Sequence, residues 1–76
     1  MTYWVTLWYA GAVVMTMGYE GQTLKECDYL RKIILQDITI SYMEEPEYMA
    51  TTMFPDHKFK TTCESERLPI DEKYRE

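Results

Sequence analysis

The chain has 76 residues, of which 46% are hydrophobic and 14% aromatic, and its net charge is −5. This length suffices for one domain, and the apolar content excludes a disordered chain. The excess of acids argues against direct nucleic-acid binding, because neutralising phosphates requires Lys and Arg.

Residues 1–19 carry no charge and allow three interpretations. A membrane-spanning helix needs about 20 apolar residues, but threonines and glycines interrupt this run and no basic residue precedes it. A signal peptide would need a positively charged start, which is missing here. The aromatic and β-branched stretches 3–9 and 12–19, separated by Ala10-Gly11, favour a β-hairpin. We therefore predict two strands and no contact with a membrane.

The sequence TLKE at residues 23–26 predicts the start of a helix. It forms a capping box, in which the Thr23 hydroxyl accepts a hydrogen bond from the Glu26 amide and the Glu26 carboxylate accepts one from the Thr23 amide. Apolar side chains then recur at helical spacing, namely Leu24, Cys27, Leu30, Ile33 and Ile34. We expect the helix to end near Gln36, because the β-branched residues 38–40 favour a short strand or an extended segment.

The second half of the chain predicts one more strand. Pro46 disfavours helix at residue 45, although it suits the first position of a short helix that reaches Met53. FPDH at residues 54–57 is a turn signal. Residues 58–66 then alternate, with Phe59 and Cys63 on the same side, which is typical of a half-buried strand. We expect a single domain over residues 1–67 and a loose C-terminal tail over residues 68–76.

This order of elements predicts an α+β fold of the ββαβ type. The first strand is the most apolar and should lie in the middle of a three-stranded antiparallel sheet, in the order 2-1-3, with one helix packed on one face. Side chains of the first strand alternate, so Tyr3 and Tyr9 point to one side while Trp4 and Trp8 point to the other.

One helix covers only one face of such a sheet. Whichever set of aromatic side chains is left outside predicts an interface, most simply a homodimer, because an aromatic patch in water is unfavourable. The candidate residues are Trp4, Trp8, Tyr3 and Tyr9. The alternative is that residues 38–55 fold back over this face.

The two cysteines occupy matching positions in this fold. Cys27 lies on the apolar stripe of the helix and Cys63 on the inward side of the last strand, so we predict that they are neighbours. They could form a disulfide or stay as two buried thiols, because the oxidation state of the pair depends on the redox compartment.

Catalytic and metal-binding motifs find little support. The single histidine, His57, follows Asp56 in a predicted turn, and neither cysteine has the surroundings of a nucleophile. No nucleophile elbow, glycine-rich phosphate loop or metal-ligand spacing occurs. We therefore predict a non-enzymatic protein without a cofactor or a metal ion.

The segment MEEPEYM at residues 43–49 is the candidate partner-binding site. Between residues 37 and 56 the charged residues are all acidic and equal the whole net charge, namely Asp37, Glu44, Glu45, Glu47 and Asp56. Carboxylates can replace phosphates on the Arg and Lys of a nucleic-acid-binding groove. Tyr48 and Met49 would add desolvated contacts. The alternative is a solvated loop that keeps the protein soluble.

In its layout, the chain resembles very small proteins of tailed phages and prophages. The layout comprises YWVTLWYAGAVV, then TLKEC opening a helix, and later the strand FKTTCE, and it covers about residues 2–66. The resemblance implies a phage accessory protein, with anti-CRISPR and other anti-defence inhibitors prominent among those with known roles. It implies action in the host cytoplasm on a host protein or nucleoprotein complex with a basic surface. A structural or virion-associated subunit, and a membrane-tethered or secreted accessory protein, are the alternatives.

Overall fold

A three-stranded antiparallel sheet with one long helix across one face forms the body of the protein, as predicted. The structure is a computed structural model that describes residues 1–75. Strands β1 (Thr2–Tyr9), β2 (Ala12–Glu20) and β3 (Phe59–Glu64) pair in the order β2-β1-β3. Helices α1 (Leu24–Glu44) and α2 (Pro46–Ala50) connect β2 to β3, and a short 3-10 helix (Glu72–Tyr74) follows.

The hairpin between β1 and β2 turns at Ala10 and Gly11, as the sequence predicts. Both residues have positive φ, 49° and 87°, which is the requirement of a tight type I′ turn. The Ala10 amide also donates a hydrogen bond to the Lys58 carbonyl at 3.1 Å, so the turn is tied to the segment that leads into β3. The register shifts between Leu7 and Trp8, where a bulge leaves Val14 without a direct partner.

Helix α1 starts where the capping box predicts. The Thr23 hydroxyl accepts from the Glu26 amide at 3.4 Å. The Glu26 carboxylate does not return to the Thr23 amide as expected; instead it accepts from the Gln22 amide at 3.1 Å and from the Tyr19 hydroxyl at 3.4 Å. The carboxylate therefore joins the helix start to the end of β2.

The predicted end of α1 near Gln36 is wrong, because the helix continues to Glu44. Its added turns place Ile38 and Tyr42 in half-buried positions. The Thr39 hydroxyl finds its hydrogen-bond partner within the helix, since it donates to the Leu35 carbonyl at 2.9 Å. The packing of Ile38 and Tyr42 together with this hydrogen bond outweighs the weak β preference of residues 38–40. The short helix at Pro46 forms with the proline in its first turn, but it ends at Ala50 rather than Met53.

The core lies between α1 and the face of the sheet that carries Tyr3 and Tyr9. Val5 and Cys27 are fully buried at its centre. Partly buried side chains complete it, namely Met17, Tyr19, Leu30, Ile34 and Cys63. The two predicted neighbours, Cys27 and Cys63, are joined by a disulfide that links α1 to β3 across 36 residues of sequence.

An aromatic cluster closes one end of the sheet. The Phe54 ring lies 5.0 Å from that of Tyr9 and 5.1 Å from that of Phe59. The Tyr42 hydroxyl donates to the carbonyls of Phe54 and Asp56. Burial, together with the nearby Tyr9 and Asp56, raises the pKa of Tyr42 above its ordinary value. The loop of residues 51–58 is thus held on the helix side of the sheet, and it does not cover the opposite face.

The C-terminal tail, expected to be loose, lies against the sheet instead. The Asp71 amide donates to the Val13 carbonyl at 2.8 Å, on the outer edge of β2. The Tyr74 ring then stacks on Phe54 at 5.6 Å. These contacts protect one part of an otherwise open strand edge.

Candidate functional site

Three carboxylates surround the junction between α1 and α2. Glu44 is the last residue of α1, Glu45 separates the two helices, and Glu47 lies in the first turn of α2. With Pro46 and Tyr48 they line an open concavity of about 390 Å³. Because these residues lie in or between helices, the predicted acidic segment is a folded surface and not a loop.

Backbone hydrogen bonds hold this junction in place. The Glu45 amide donates to the Ser41 carbonyl at 2.9 Å, and the Met49 amide donates to the Glu45 carbonyl at 3.0 Å. Pro46 adds a fixed φ at the start of α2. The carboxylates are therefore carried on a backbone that needs little further ordering to bind a partner.

The apolar residues of the segment divide between the surface and the interior. Tyr48 is 63% exposed and lies beside the carboxylates, as expected. Met49 is half-buried and turns towards Leu7 and Ile34, so it lies away from the acidic surface. Met43, which is 77% exposed, lies immediately before Glu44 and provides the exposed apolar contact that we expected from Met49.

The structure separates the two outer acids of the predicted site. Asp37 is exposed and precedes Glu44 by two helical turns, about 10 Å along the same side of α1. Asp56 lies in the loop beside Tyr42, whose position on α1 is roughly opposite that of Glu44. Its carboxylate is 4.0 Å from the Lys58 ammonium. We therefore define the acidic junction as Glu44, Glu45, Glu47 and Tyr48, with Met43 at its border.

The carboxylates of the acidic junction have no basic partner within residues 1–75. Glu44 also ends α1 where the helix macrodipole is negative, and the last turn contains no basic residue. An exposed acid at this position opposes helix formation. Local stability therefore does not explain why a glutamate occupies this position.

We expect Glu44→Gln to raise the free energy of unfolding by about 0.5 kcal/mol, because it removes a negative charge from the negative end of α1. Urea denaturation followed by Trp fluorescence measures the change. Glu47→Gln is the matched control, since Glu47 lies in the first turn of α2, where a negative charge is favourable. A stability loss in Glu44→Gln as large as that in Glu47→Gln would contradict the unfavourable placement of Glu44.

Two of the four aromatic residues predicted to form a homodimer interface lie in the core instead. Tyr3 and Tyr9 are only 8% and 7% exposed on the helix side of the sheet. Trp4 and Trp8 are half-buried on the opposite face. Helix α1 leaves this opposite face open, and the chain's own side chains cover part of it.

The Trp4 ring contacts residues of β2 and of the segment after β3. A β-carbon at Gly18 would lie 3.2 Å from the Trp4 ring, which is a tight contact, so glycine gives the ring room on β2. The Arg67 guanidinium lies 5.5 Å from the ring centre, and its Nε donates to the Thr16 hydroxyl at 3.2 Å. This cation–π contact places Arg67, the residue before the tail, on the open face of the sheet.

Trp8 belongs to a hydrogen-bond chain on the same face. Its Nε1 donates to the Thr62 hydroxyl at 2.8 Å, and that hydroxyl donates to one Glu64 oxygen at 2.6 Å. The fully buried Thr6 hydroxyl donates to the other Glu64 oxygen at 2.6 Å. The Lys60 ammonium lies 5.2 Å from the Trp8 ring centre. The sequence alternation predicts the position of Trp8 but not this chain of polar contacts.

An apolar groove of about 370 Å³ separates α1 from β2. It exists because α1 packs mainly over β1 and β3 and leaves the inner side of β2 less covered. Its apolar lining consists of Leu7, Met15, Met17, Ile34, Ile38, Met49 and Phe59. Sequence reasoning missed this groove, because the lateral position of a helix on a sheet depends on packing between distant residues.

Comparisons of the chain with protein-family models, with curated proteins and with solved structures found no match. Among residues 1–75, no helix has both the length and the apolar character needed to cross a membrane. The same part of the chain contains no group of His, Cys, Asp and Glu side chains arranged to hold a metal ion.

Proposed function

We propose that the protein is a non-enzymatic binding protein whose acidic junction occupies a basic, nucleic-acid-binding surface of a partner. The observation that carries this proposal is the set of carboxylates at Glu44, Glu45 and Glu47, which lack basic partners within residues 1–75 and lie beside the exposed Tyr48. Such a surface offers charge together with an amphipathic anchor. Arg and Lys that grip phosphates would pair with the carboxylates, while Tyr48 would supply a desolvated contact.

Two physical properties of the junction favour binding over mere solubility. A helix junction with fixed backbone hydrogen bonds loses little conformational freedom when a partner binds. The unfavourable position of Glu44 at the end of α1 is also unnecessary for solubility, which acids elsewhere on the surface would provide equally well. Complementary fields would further increase the rate of encounter with a basic groove.

The resemblance to small phage proteins supports an inhibitory role. An inhibitor of a host defence complex would block nucleic acid from its site by stoichiometric occupation. In that role the partner is a protein or nucleoprotein complex, and the acidic chain itself avoids nucleic acid by like-charge repulsion.

Changing Glu44, Glu45 and Glu47 together to Gln is expected to weaken partner binding by about tenfold or more and to reduce its salt dependence. The tagged chain would be used to capture partners from a bacterial lysate over a series of salt concentrations. We expect a nucleic-acid-binding protein that elutes as salt rises and that added nucleic acid displaces. The triple variant should lose this capture.

The matched control is Glu66→Gln combined with Glu72→Gln, which removes exposed carboxylates outside the acidic junction. Circular dichroism would show that each variant keeps the fold. The proposal fails if the folded triple variant captures the same protein with the same salt dependence. It also fails if nucleic acid does not compete with the chain for its partner.

A further inference from the structure

The outer edge of β2 carries backbone groups that no neighbouring strand uses. The Gly21 amide donates to the Met1 carbonyl at 3.1 Å, which fixes the alternation of hydrogen bonds between β1 and β2. Counted back from there in steps of two, the amides and carbonyls of Thr16, Gly18 and Glu20 point away from β1. Within residues 1–75, no backbone hydrogen bond from another segment reaches these outward groups.

The usual protections of an edge strand are confined to the hairpin end of β2. There a bulge interrupts the pairing at Val14, and the Asp71 amide donates to the outward carbonyl of Val13. Residues 15–19 pair regularly with β1 and include neither a charged residue nor a proline. Charges, prolines, bulges and coverage are the devices that keep natural edge strands from pairing with another chain. This part of β2 therefore remains able to accept a further strand.

The apolar groove between α1 and β2 adjoins this open edge on the helix side of the sheet. Met15 and Met17 line it from β2, and Ile34 and Ile38 line it from α1. Met15 is 43% exposed, although it lies on the face of β2 that carries core residues. A strand added beside β2 would turn every second side chain to the helix side, next to Met15 and Met17. Those side chains would cover the groove while the backbone completes the edge.

Asp37 gives the groove a preference for a basic partner. Within residues 1–75 it is the one charged residue in the lining, it is exposed, and it forms no ion pair. A Lys or Arg on the apolar side of an added strand would pair with this carboxylate. The β2 strand of a second copy would not, because residues 12–19 carry no charge. Charge complementarity therefore favours a segment of a different protein over a second copy.

We propose that β2 accepts an extended segment of a partner protein as an additional antiparallel strand. The segment has apolar side chains at alternate positions facing the groove, and a Lys or Arg on the same side that reaches Asp37. Antiparallel addition continues the pattern of the sheet and supplies partners for the outward groups of Thr16 and Gly18. No residue of the acidic junction lines the groove, so this site is separate from the proposed contact with a basic surface.

A synthetic peptide tests the site. The probe is acetyl-Lys-Thr-Val-Thr-Val-Thr-Lys-amide, whose lysines and valines share one side when it is extended. Titrated into the isotope-labelled chain, it should produce saturable NMR shifts at residues 15–19 and slow the hydrogen exchange of the Gly18 amide by at least about tenfold. The triple Gln variant of the acidic junction should show the same shifts. Absence of saturable shifts in β2 at millimolar peptide would overturn the proposal.

Methylation of the peptide backbone tests strand addition directly. In the antiparallel arrangement the Thr amides of the peptide face β2, whereas its Val amides face away from the sheet. Methyl groups on the Thr nitrogens should therefore weaken binding by at least about tenfold, because they remove the donors to β2. The matched control, methylated on the Val nitrogens, should bind within about threefold of the unmodified peptide. Equal effects of the two methylations would show that no antiparallel strand is added.

Substitutions in the chain test the groove and its charge. Met15→Lys should weaken peptide binding by at least about tenfold, because it places a like charge beside the groove. Asp37→Asn should weaken it by about threefold and reduce its salt dependence. Met53→Lys is the matched control, since Met53 is 66% exposed and lies outside the groove. With the fold of each variant verified by circular dichroism, native affinity in Met15→Lys, or an equal loss in Met53→Lys, would contradict the site.

Discussion

Reducing the disulfide between Cys27 and Cys63 is expected to lower the free energy of unfolding by about 4 kcal/mol, because the unfolded chain regains the freedom of a closed loop. The bond spans 36 residues of sequence and connects the long helix to an edge strand. Small domains have total stabilities near the lower end of 5–15 kcal/mol, so about 4 kcal/mol is a large share. The reduced chain should therefore unfold at a much lower urea concentration.

The measurement is urea denaturation followed by Trp fluorescence, with and without reductant. The double variant Cys27→Ala and Cys63→Ala is the control, because it removes the bond and does not respond to reductant. Its midpoint should be close to that of the reduced native chain. An unchanged midpoint after complete reduction would contradict the prediction.

The outcome also bears on where the protein acts. Disulfides persist in oxidising compartments and are rare in the cytosol. Action in the host cytoplasm therefore requires that the reduced chain stays folded, whereas a chain that unfolds on reduction would need an oxidising compartment. Circular dichroism of the reduced chain at physiological temperature separates these cases.

Glu64→Ala is expected to lower the free energy of unfolding by about 3 kcal/mol, since it removes two charge-assisted hydrogen bonds and leaves a buried donor without its partner. Each Glu64 oxygen accepts one hydrogen bond from a hydroxyl group, one from Thr6 and the other from Thr62. Thr6 is fully buried on the central strand, so in the native chain its hydroxyl depends on Glu64 rather than on water. Thermal and urea denaturation would measure the loss.

Glu66→Ala is the matched control, because this glutamate is exposed just beyond the end of the same strand. Its removal should change stability by less than about 0.5 kcal/mol. A double-mutant cycle with Thr6→Val would then isolate the Thr6–Glu64 hydrogen bond. Equal losses for Glu64→Ala and Glu66→Ala would show that the polar chain contributes nothing to stability.

Sequence reasoning predicts those features of this protein that depend on neighbouring residues. The turn at Ala10-Gly11, the helix start at Thr23 and the helical turn at Pro46 each follow from local backbone chemistry. Alternation along β1 likewise separates the Trp4 side from the Tyr3 side, because a strand has a period of two. The strand order followed from the apolar character of β1, since the middle strand has two neighbours and the least exposure.

The tertiary structure alone decided the features that depend on contacts between distant segments. Helix α1 reaches Glu44 because its later turns pack on the sheet and loop, which outweighs the local β preference of residues 38–40. The tail lies against the sheet because the Asp71 amide donates to the Val13 carbonyl and the Tyr74 ring stacks on Phe54. Met43 is exposed and Met49 is not, because the orientation of a helical side chain depends on where the helix lies. Such contacts join residues far apart in the sequence, so no local pattern encodes them.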